Sequence, residues 1–454
     1  MDPVRIRQEI GKIKDYARRN GAAAAFFRVA EGIKESMEDR RYSESHEEPI
    51  FPDPGEDRED TEGLPFISVI IPVCSPDMDD FAHLLDSLKA QSYRNFETVI
   101  ADGGCDDSIA EVVKAYFEDP ENTLRIKYKK LKENKGISEN SNEALKEAEG
   151  EYVSFLDHDD LLSPDALLES ARAAAGGAYV IYTDEDKYDG TRDRYFCPNR
   201  KPDFNLDLLL SNNYICHLLT VKKELVDELK GLRSGYDGAQ DHDLVLRLSE
   251  KVPREKIAHI DRVLYHWRLS PSSTAGNPMS KLYAYENGRK AVQDYLTRRG
   301  IGAVVEDTAH RGFFHPVYSG IDVDRESYFI FIDKRLEALT ADFERCMAGY
   351  FAREEVGIVG AAIIGKTGRT VSNGLKIDKD GRKLPEYGKI DFRFSGYMHR
   401  AAMARETEAV SIHAFAIRKE LKALIDRDPF RMCEKVREKG YTVVVDPHIL
   451  FRIK

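Results

Sequence analysis

The sequence predicts an α/β protein whose main domain is a mostly parallel sheet with flanking helices. Two observations lead there. Continuous apolar runs, as strands buried on both faces require, recur between Phe66 and Asp184. Amphipathic stretches of helical period lie between them, and such alternation builds right-handed βαβ units.

The elements follow in order. Residues 1–40 read as helix, with Ile6, Ile10, Ile13 and Ala17 on one face and Arg5, Lys12, Arg18 and Arg19 around it; Gly11 interrupts the stripe. A basic amphipathic helix can lie on an anionic membrane, but packing on the main domain is the preferred reading. From Glu44 to Gly63 the chain is acidic and proline-bearing, a linker or surface strap. FISVIIP (Phe66–Pro72), FETVIAD (Phe96–Asp102), TLRIKYKK, EYVSFLD and AYVIYTD (Ala178–Asp184) are the strands. DDFAHLLDSLKAQ, SIAEVVKAYF and GISENSNEALKEAEG are helices, the last ending at Gly150.

With 454 residues the chain is too long for one ordinary core. We divide it into an N-terminal helical region and linker (1–63), a main domain (64–300) and a C-terminal module (301–454). A hydrophobic content of 42% is that of a soluble globular protein, and a net charge of −12 argues against nucleic-acid binding. No apolar stretch reaches the length of a membrane span, and none resembles an export signal. Six scattered cysteines without a CxxC pair fit a reducing cytoplasm and speak against a disulfide framework or a cysteine zinc site.

Ligands of parallel sheets bind beyond the carboxyl ends of the strands. Here those ends carry Pro72, Asp102, Asp157 and Asp184. One aspartate would read as a helix cap; three together read as a site. Asp157, His158, Asp159 and Asp160 crowd the turn after the fourth strand, and carboxylates so placed repel unless a cation or proton joins them. A DxD turn suits Mg²⁺ or Mn²⁺ carrying a diphosphate. Asp102 is placed to hold a base or a ribose hydroxyl. Asp241 and Asp243 open an apolar helical run, where both capping and general-base roles stand. His266, beside the only tryptophan, Trp267, precedes a Ser/Pro/Gly-rich loop with Ser272, Ser273 and Thr274, consistent with a ligand or lid role.

The segments ISVIIPV, VIADGGCDDS, ENKGISENSNEAL, FLDHDDLLSPDAL, YTDEDK, SNNYICHLL, YDGAQDHDLVLRL and VLYHWRLSPSSTA resemble, in that order, family-two glycosyltransferases, most closely bacterial enzymes of surface-polysaccharide assembly, rhamnosyltransferases among them. The resemblance runs from about Phe66 to Gly300. It implies a GT-A fold, a nucleotide-sugar donor (UDP- or dTDP-linked), a divalent cation, a glycan or lipid-linked glycan acceptor, and inversion at the anomeric carbon. By it, Pro72 and Asp102 line the base pocket, Asp157 faces the ribose, Asp159 binds the metal, Asp241 is the catalytic base and His266 a further metal contact. Asp184 completes the nucleotide-sugar edge. The alternative is a non-catalytic glycan- or partner-binding scaffold of the same fold.

The last third echoes the first domain. In SYFIFIDKRLEALTAD, Tyr328, Phe331 and Asp333 match Tyr152, Phe155 and Asp157, but Lys334 and Arg335 replace His158 and Asp159. In IHAFAIRKEL, His413 matches His217. This module is expected to be a degenerate α/β copy that lacks the first strands and any counterpart of AQDHD.

Overall fold

The computed structural model describes residues 3–45, 61–119, 122–269 and 282–454. Most of the acidic stretch after Ser45, and the loop bearing Ser272, Ser273 and Thr274, lie outside the described residues. The chain opens with α1 (Pro3–Asn20) and α2 (Ala22–Ser45). The break falls at Gly21, whose φ of 86° is left-handed, rather than at Gly11, which sits inside α1. A lone glycine costs a helix only about 1 kcal/mol, so Gly11 does not stop it. Asp15 accepts from Arg311 at 3.0 Å, while Ile10 and Ile13 stay 46% and 39% exposed. Among the described residues no helix is long and apolar enough to cross a membrane.

The chain forms two compact units. The main unit comprises Lys34–Phe204 and Asn213–Ala291; the companion unit comprises Met1–Ile33, Asn205–Asn212 and Val292–Lys454.

In the main unit the strands are β1 (Ile67–Val73), β2 (Phe96–Asp102), β3 (Ile126–Lys130), β4 (Tyr152–Phe155), β5 (Leu161–Leu162), β6 (Val180–Asp189), β7 (Arg194–Asn199), β8 (Leu219–Lys222) and β9 (Ile257–Arg268). Their order is β3-β2-β1-β4-β8-β6-β9-β5, with β7 on β6. β3, β2, β1 and β4 are parallel. β8 runs antiparallel to both β4 and β6, so β4 and β6 point the same way, and β9 is parallel to β6. β1 is buried along its whole length, which is why ISVIIPV shows no polar alternation. One face of it packs on Phe81, Leu84, Leu85 and Leu88 of α3 (Met78–Lys89), each such burial contributing about 1.5–3 kcal/mol. Asp77 caps α3, accepting from the Asp79 and Asp80 N–H groups at 3.1 and 3.2 Å. The other helices of the sheet's crossovers are α4 (Ser108–Glu118), α5 (Ile137–Leu145), which stops short of Gly150, and α6 (Ala166–Ala175).

Between β7 and β8 the chain supplies α7 (Leu206–Ser211) to the companion unit before returning. There Asn205 Nδ2 donates to Glu406 O at 2.9 Å, and Asp207 receives the guanidinium of Arg353. Back in the main unit come α8 (Lys223–Glu228) and α9 (Gln240–Ser249); α10 (Leu282–Arg298) follows.

The companion unit holds a hairpin, β10 (Val304–Asp307) with β11 (Phe314–Val317), and then β12 (Tyr328–Ile332), β13 (Leu336–Ala338), α11 (Phe343–Gly349), β14 (Val356–Ile364), β15 (Thr370–Ser372), β16 (Leu375–Ile377), β17 (Lys383–Pro385), β18 (Arg405–Glu406), β19 (Ala414–Arg418), α12 (Pro429–Glu438) and β20 (Thr442–Ile453). Its main sheet is ordered β12-β19-β14-β20-β13, with β15 on β14. That repeats β4-β8-β6-β9-β5, with β7 on β6, and every pairing has the same sense as its counterpart. Nothing among the described residues repeats the parallel strands β1 to β3. Met432, Cys433 and Val436 of α12 cover this sheet over Ile358, Phe415 and Val443.

Two histidines of the companion unit give its stability a pH dependence. His310 and His399 stack at 4.0 Å between ring centroids, near Phe313. Burial, then the charges of Arg28 and Arg19, hold His310 down to about 4; burial, then His310, holds His399 well below the usual range. Both are neutral when folded, whereas in the unfolded chain they protonate near about 6.5. The folded state therefore binds fewer protons, and this stability is complete above that pH and lost as pH falls through it toward 4. We expect the melting temperature to fall over that window and His310→Phe to flatten the fall. An unaltered slope in the variant would sink the assignment.

Candidate active site

At the carboxyl edge of β1 and β4 lies a small, solvent-open pocket lined by Pro72, Asp157, His217, Gln240 and Asp241, among others. Local chemistry places each. Pro72 is near the end of β1, and Asp157 begins the turn after β4, where the Asp160 N–H donates back to Asp157 O at 3.3 Å. Asp241 sits in the first turn of α9 and accepts from Asn213 Nδ2 at 2.8 Å. Gly136 precedes α5 with φ 92°; a Cβ there would come within 2.3 Å of Asp237, whose carboxylate accepts from the Ser138 N–H at 3.3 Å.

Asp243, two residues after Asp241, is 1% exposed and accepts from Arg233 Nε at 3.0 Å and Arg247 Nε at 2.9 Å. It ties down the helix start, while Asp241 borders the cavity.

Asp157, Asp160 and His217 offer ligand atoms that all lie within 4.8 Å of one another. Asp160 is fully buried and accepts from Tyr265 Oη and, at 2.8 Å, from the Arg268 N–H. Burial, then the charges of Asp159 and Asp157, push its carboxyl well above the carboxylate range. His217 is oriented by stacking on Tyr265 (centroids 4.6 Å apart, planes at 15°). Two carboxylates and an imidazole fit a divalent ion that keeps open positions for a second ligand.

Four residues expected at this site do not line the cavity. His266 is buried with both ring nitrogens engaged, Nδ1 with Asp186 at 2.6 Å and Nε2 with Ser163 Oγ at 2.9 Å. It is thus held by the scaffold, whereas His217 lines the cavity beside Asp157. Asp159 is partly buried and lies outside the three-residue cluster; its carbonyl accepts from Arg268 Nε at 2.7 Å. Asp102 is fully buried; it accepts from Tyr128 Oη at 2.6 Å, Lys130 Nζ at 2.9 Å and the Gly104 N–H at 2.7 Å, so its carboxylate is spent on the scaffold. Asp184 does not line the cavity. It accepts from the Lys201 N–H at 2.7 Å and lies 2.9 Å from His259 Nε2 and 3.2 Å from Arg200. Burial works to raise this carboxyl, but those partners outweigh it and hold it below the usual range. Its neighbours are engaged likewise: Glu185 with the buried Lys201 at 3.2 Å, and Asp186 with Tyr42 Oη at 2.9 Å.

Two site residues escape the sequence reading, His217 and Asn213. The signal for His217 was present: the C-terminal echo keeps a histidine opposite its aspartate. In the companion unit His413 Nδ1 lies 3.0 Å from Asp333 Oδ2, repeating His217 and Asp157. There the guanidinium of Arg335 grips Asp333 through Nε at 3.0 Å and Nη2 at 2.6 Å. The first turn of α12 carries no acidic residue.

Residues 68–228 match the family described as glycosyl transferase family 2. The chain is 42% identical over 241 residues to the protein y4gI of Sinorhizobium fredii, covering 52% of this chain and 26% of that one. It is 35% identical over 247 residues to the O-antigen biosynthesis protein RfbC of Myxococcus xanthus (54% of this chain, 19% of that one). With the chondroitin synthase of Escherichia coli it shares 27% over 243 residues (52% and 34%). The chain therefore spans 19% to 34% of the length of these relatives. Among solved structures it is similar to TarS of S. aureus in complex with UDP-GlcNAc, with a TM-score of 0.41 and 20% identity over 51% of this chain and 66% of that one. The mannosyltransferase PcManGT of Pyrobaculum calidifontis, in complex with GDP-Man and Mn²⁺, gives 0.39 and 17% over 63% and 76%.

Proposed function

We propose that this chain, whose residues 68–228 match glycosyl transferase family 2, moves a sugar, a hexosyl or rhamnosyl unit, from a UDP- or dTDP-sugar to a hydroxyl of a growing cell-surface glycan, with inversion. The observation that carries this reading is that Asp241 and the Asp157–His217 pair line one cavity. The name of the Myxococcus relative supports surface-polysaccharide assembly as the setting.

Asp241 accepts the proton of the acceptor hydroxyl as that oxygen forms a bond to the anomeric carbon. The bond from that carbon to the diphosphate breaks on the opposite face, and the nucleoside diphosphate leaves. Asn213 donates to Asp241 Oδ2 and holds the carboxylate in position throughout. Pro72 and Asp157 border the nucleotide side. A divalent cation, Mg²⁺ or Mn²⁺, held by Asp157, Asp160 and His217 would offset the charge that gathers on the leaving diphosphate. Asp157→Ala is expected to lower metal-dependent binding of UDP- or dTDP-sugars by more than ~10-fold, and chelation to do the same to the unaltered chain. Calorimetry checks this; donor binding that ignores both treatments removes the cation from the reading.

We read the companion unit as a degenerate, non-catalytic copy, since Arg335 grips Asp333 and the first turn of α12 carries no acidic residue. A second nucleotide-sugar equivalent bound per chain, surviving Asp157→Ala, would overturn that. The exposed Ile10, Phe26 and Ile33 of the N-terminal helices support peripheral association with a membrane bearing a lipid-linked acceptor.

A further inference from the structure

We propose that the companion unit contains a second metal site, formed by His315, Asp446 and His448 and suited to a divalent transition ion such as Zn²⁺. Their ligand atoms all lie within 4.8 Å of one another, and none of the three belongs to the echo of the main-unit site. β20 supplies two of them through an irregularity. Against β14, Ala361 pairs with Asp446 but the next residue, Ala362, pairs with Leu450, so Pro447, His448 and Ile449 bulge from the ladder. Bulges re-aim side chains. This one sets His448 Nδ1 3.0 Å from Asp446 Oδ1, while His315 of β11 brings Nε2 to 3.1 Å from Asp446 Oδ2.

An ion with tetrahedral bonds of about 2.0–2.1 Å separates its ligand atoms by roughly 3.3 Å. The two imidazole–carboxylate spacings need open by only a few tenths of an ångström, and the exposed His448 ring would turn out of its stack on His315 to bring its nitrogen to the ion. The two imidazoles stack at 3.7 Å with planes at 18°, both turned to the same carboxylate. Asp446 is 2% exposed, and Tyr350 Oη donates to its Oδ2 at 3.0 Å, an orienting bond of the kind that supports metal ligands. The exposed His448 gives an ion its entry and leaves a position for water. Two imidazoles and one carboxylate favour a borderline ion over Mg²⁺. Bound there, the ion would clasp the β10–β11 hairpin to β20.

The test uses the full chain, stripped with chelator and titrated with Zn²⁺ alone, and with Co²⁺ for its visible absorption. We expect one equivalent that persists in Asp157→Ala, gives the intense band of four-coordinate Co²⁺, raises the melting temperature, and weakens by more than ~10-fold in His448→Gln. Because His448 is exposed, that variant should keep the fold; His315→Gln is the second variant, and the Co²⁺ band of the unaltered chain needs neither. Absence of any Zn²⁺ equivalent in Asp157→Ala overturns the proposal. So does an equivalent that survives both histidine substitutions, or an unaltered chain that gives only the weak spectrum of six-coordinate Co²⁺.

Discussion

Asp241→Asn is expected to lower sugar transfer by ~10²–10⁴-fold while donor affinity stays near that of the unaltered chain. The amide is close in shape to the carboxylate, and its oxygen can still accept from Asn213 Nδ2, now at 2.8 Å. What is lost is the capacity to take a proton. Asp243→Asn makes the control, because that carboxylate lies between Arg233 and Arg247. Its neutralisation should lower stability, with transfer per folded molecule changed far less. Progress curves of nucleotide release, paired with donor titrations, separate the two. Normal transfer by the Asp241 variant would place the base elsewhere.

Arg353→Ala is expected to destabilise the companion unit by about 3–5 kcal/mol. Arg353 and Asp207 are 1% and 2% exposed. The guanidinium spans both carboxylate oxygens, Nη2 to Oδ2 at 3.1 Å, and its Nε donates to Glu355 at 2.9 Å. Removing it strands a carboxylate without water or a counter-charge, a loss that is large against the 5–15 kcal/mol of a typical domain. Replacing both partners with apolar residues of similar volume, as in Arg353→Met with Asp207→Leu, should recover much of it. Denaturant midpoints, followed as two transitions, give the measurement. A loss below about 1 kcal/mol would mean that the pair is hydrated, as surface pairs are.

The parts legible in the sequence are those governed by neighbours along the chain. β1, β2 and β4 announce themselves as apolar runs, and Asp157 and Asp241 as acids at a strand end and a helix start. The acidic run of β6 misleads because its neutralising partners are remote: Lys201, His259 and Tyr42 meet Asp184, Glu185 and Asp186 only in the fold. His217 and His266 look alike as isolated histidines. His266 turns to Asp186 and Ser163, from two other segments, whereas His217 lines the cavity. The strand pattern of Tyr328–Asp333 betrays the second sheet. Nothing in the composition of Asn205–Asn212 reveals that these residues belong to the companion unit.

That excursion has a consequence for synthesis. α7 leaves the ribosome about 240 residues before β20, the strand that lies between β14 and β13 in the sheet of its unit. At ~5–20 residues per second the interval is roughly 10–50 s. Throughout it Leu208, Leu209 and Leu210, each at most 1% exposed in the finished protein, wait for partners not yet made. The nascent chain is then a natural client for a chaperone, and a stop codon placed after residue 300 would leave those leucines bare for good.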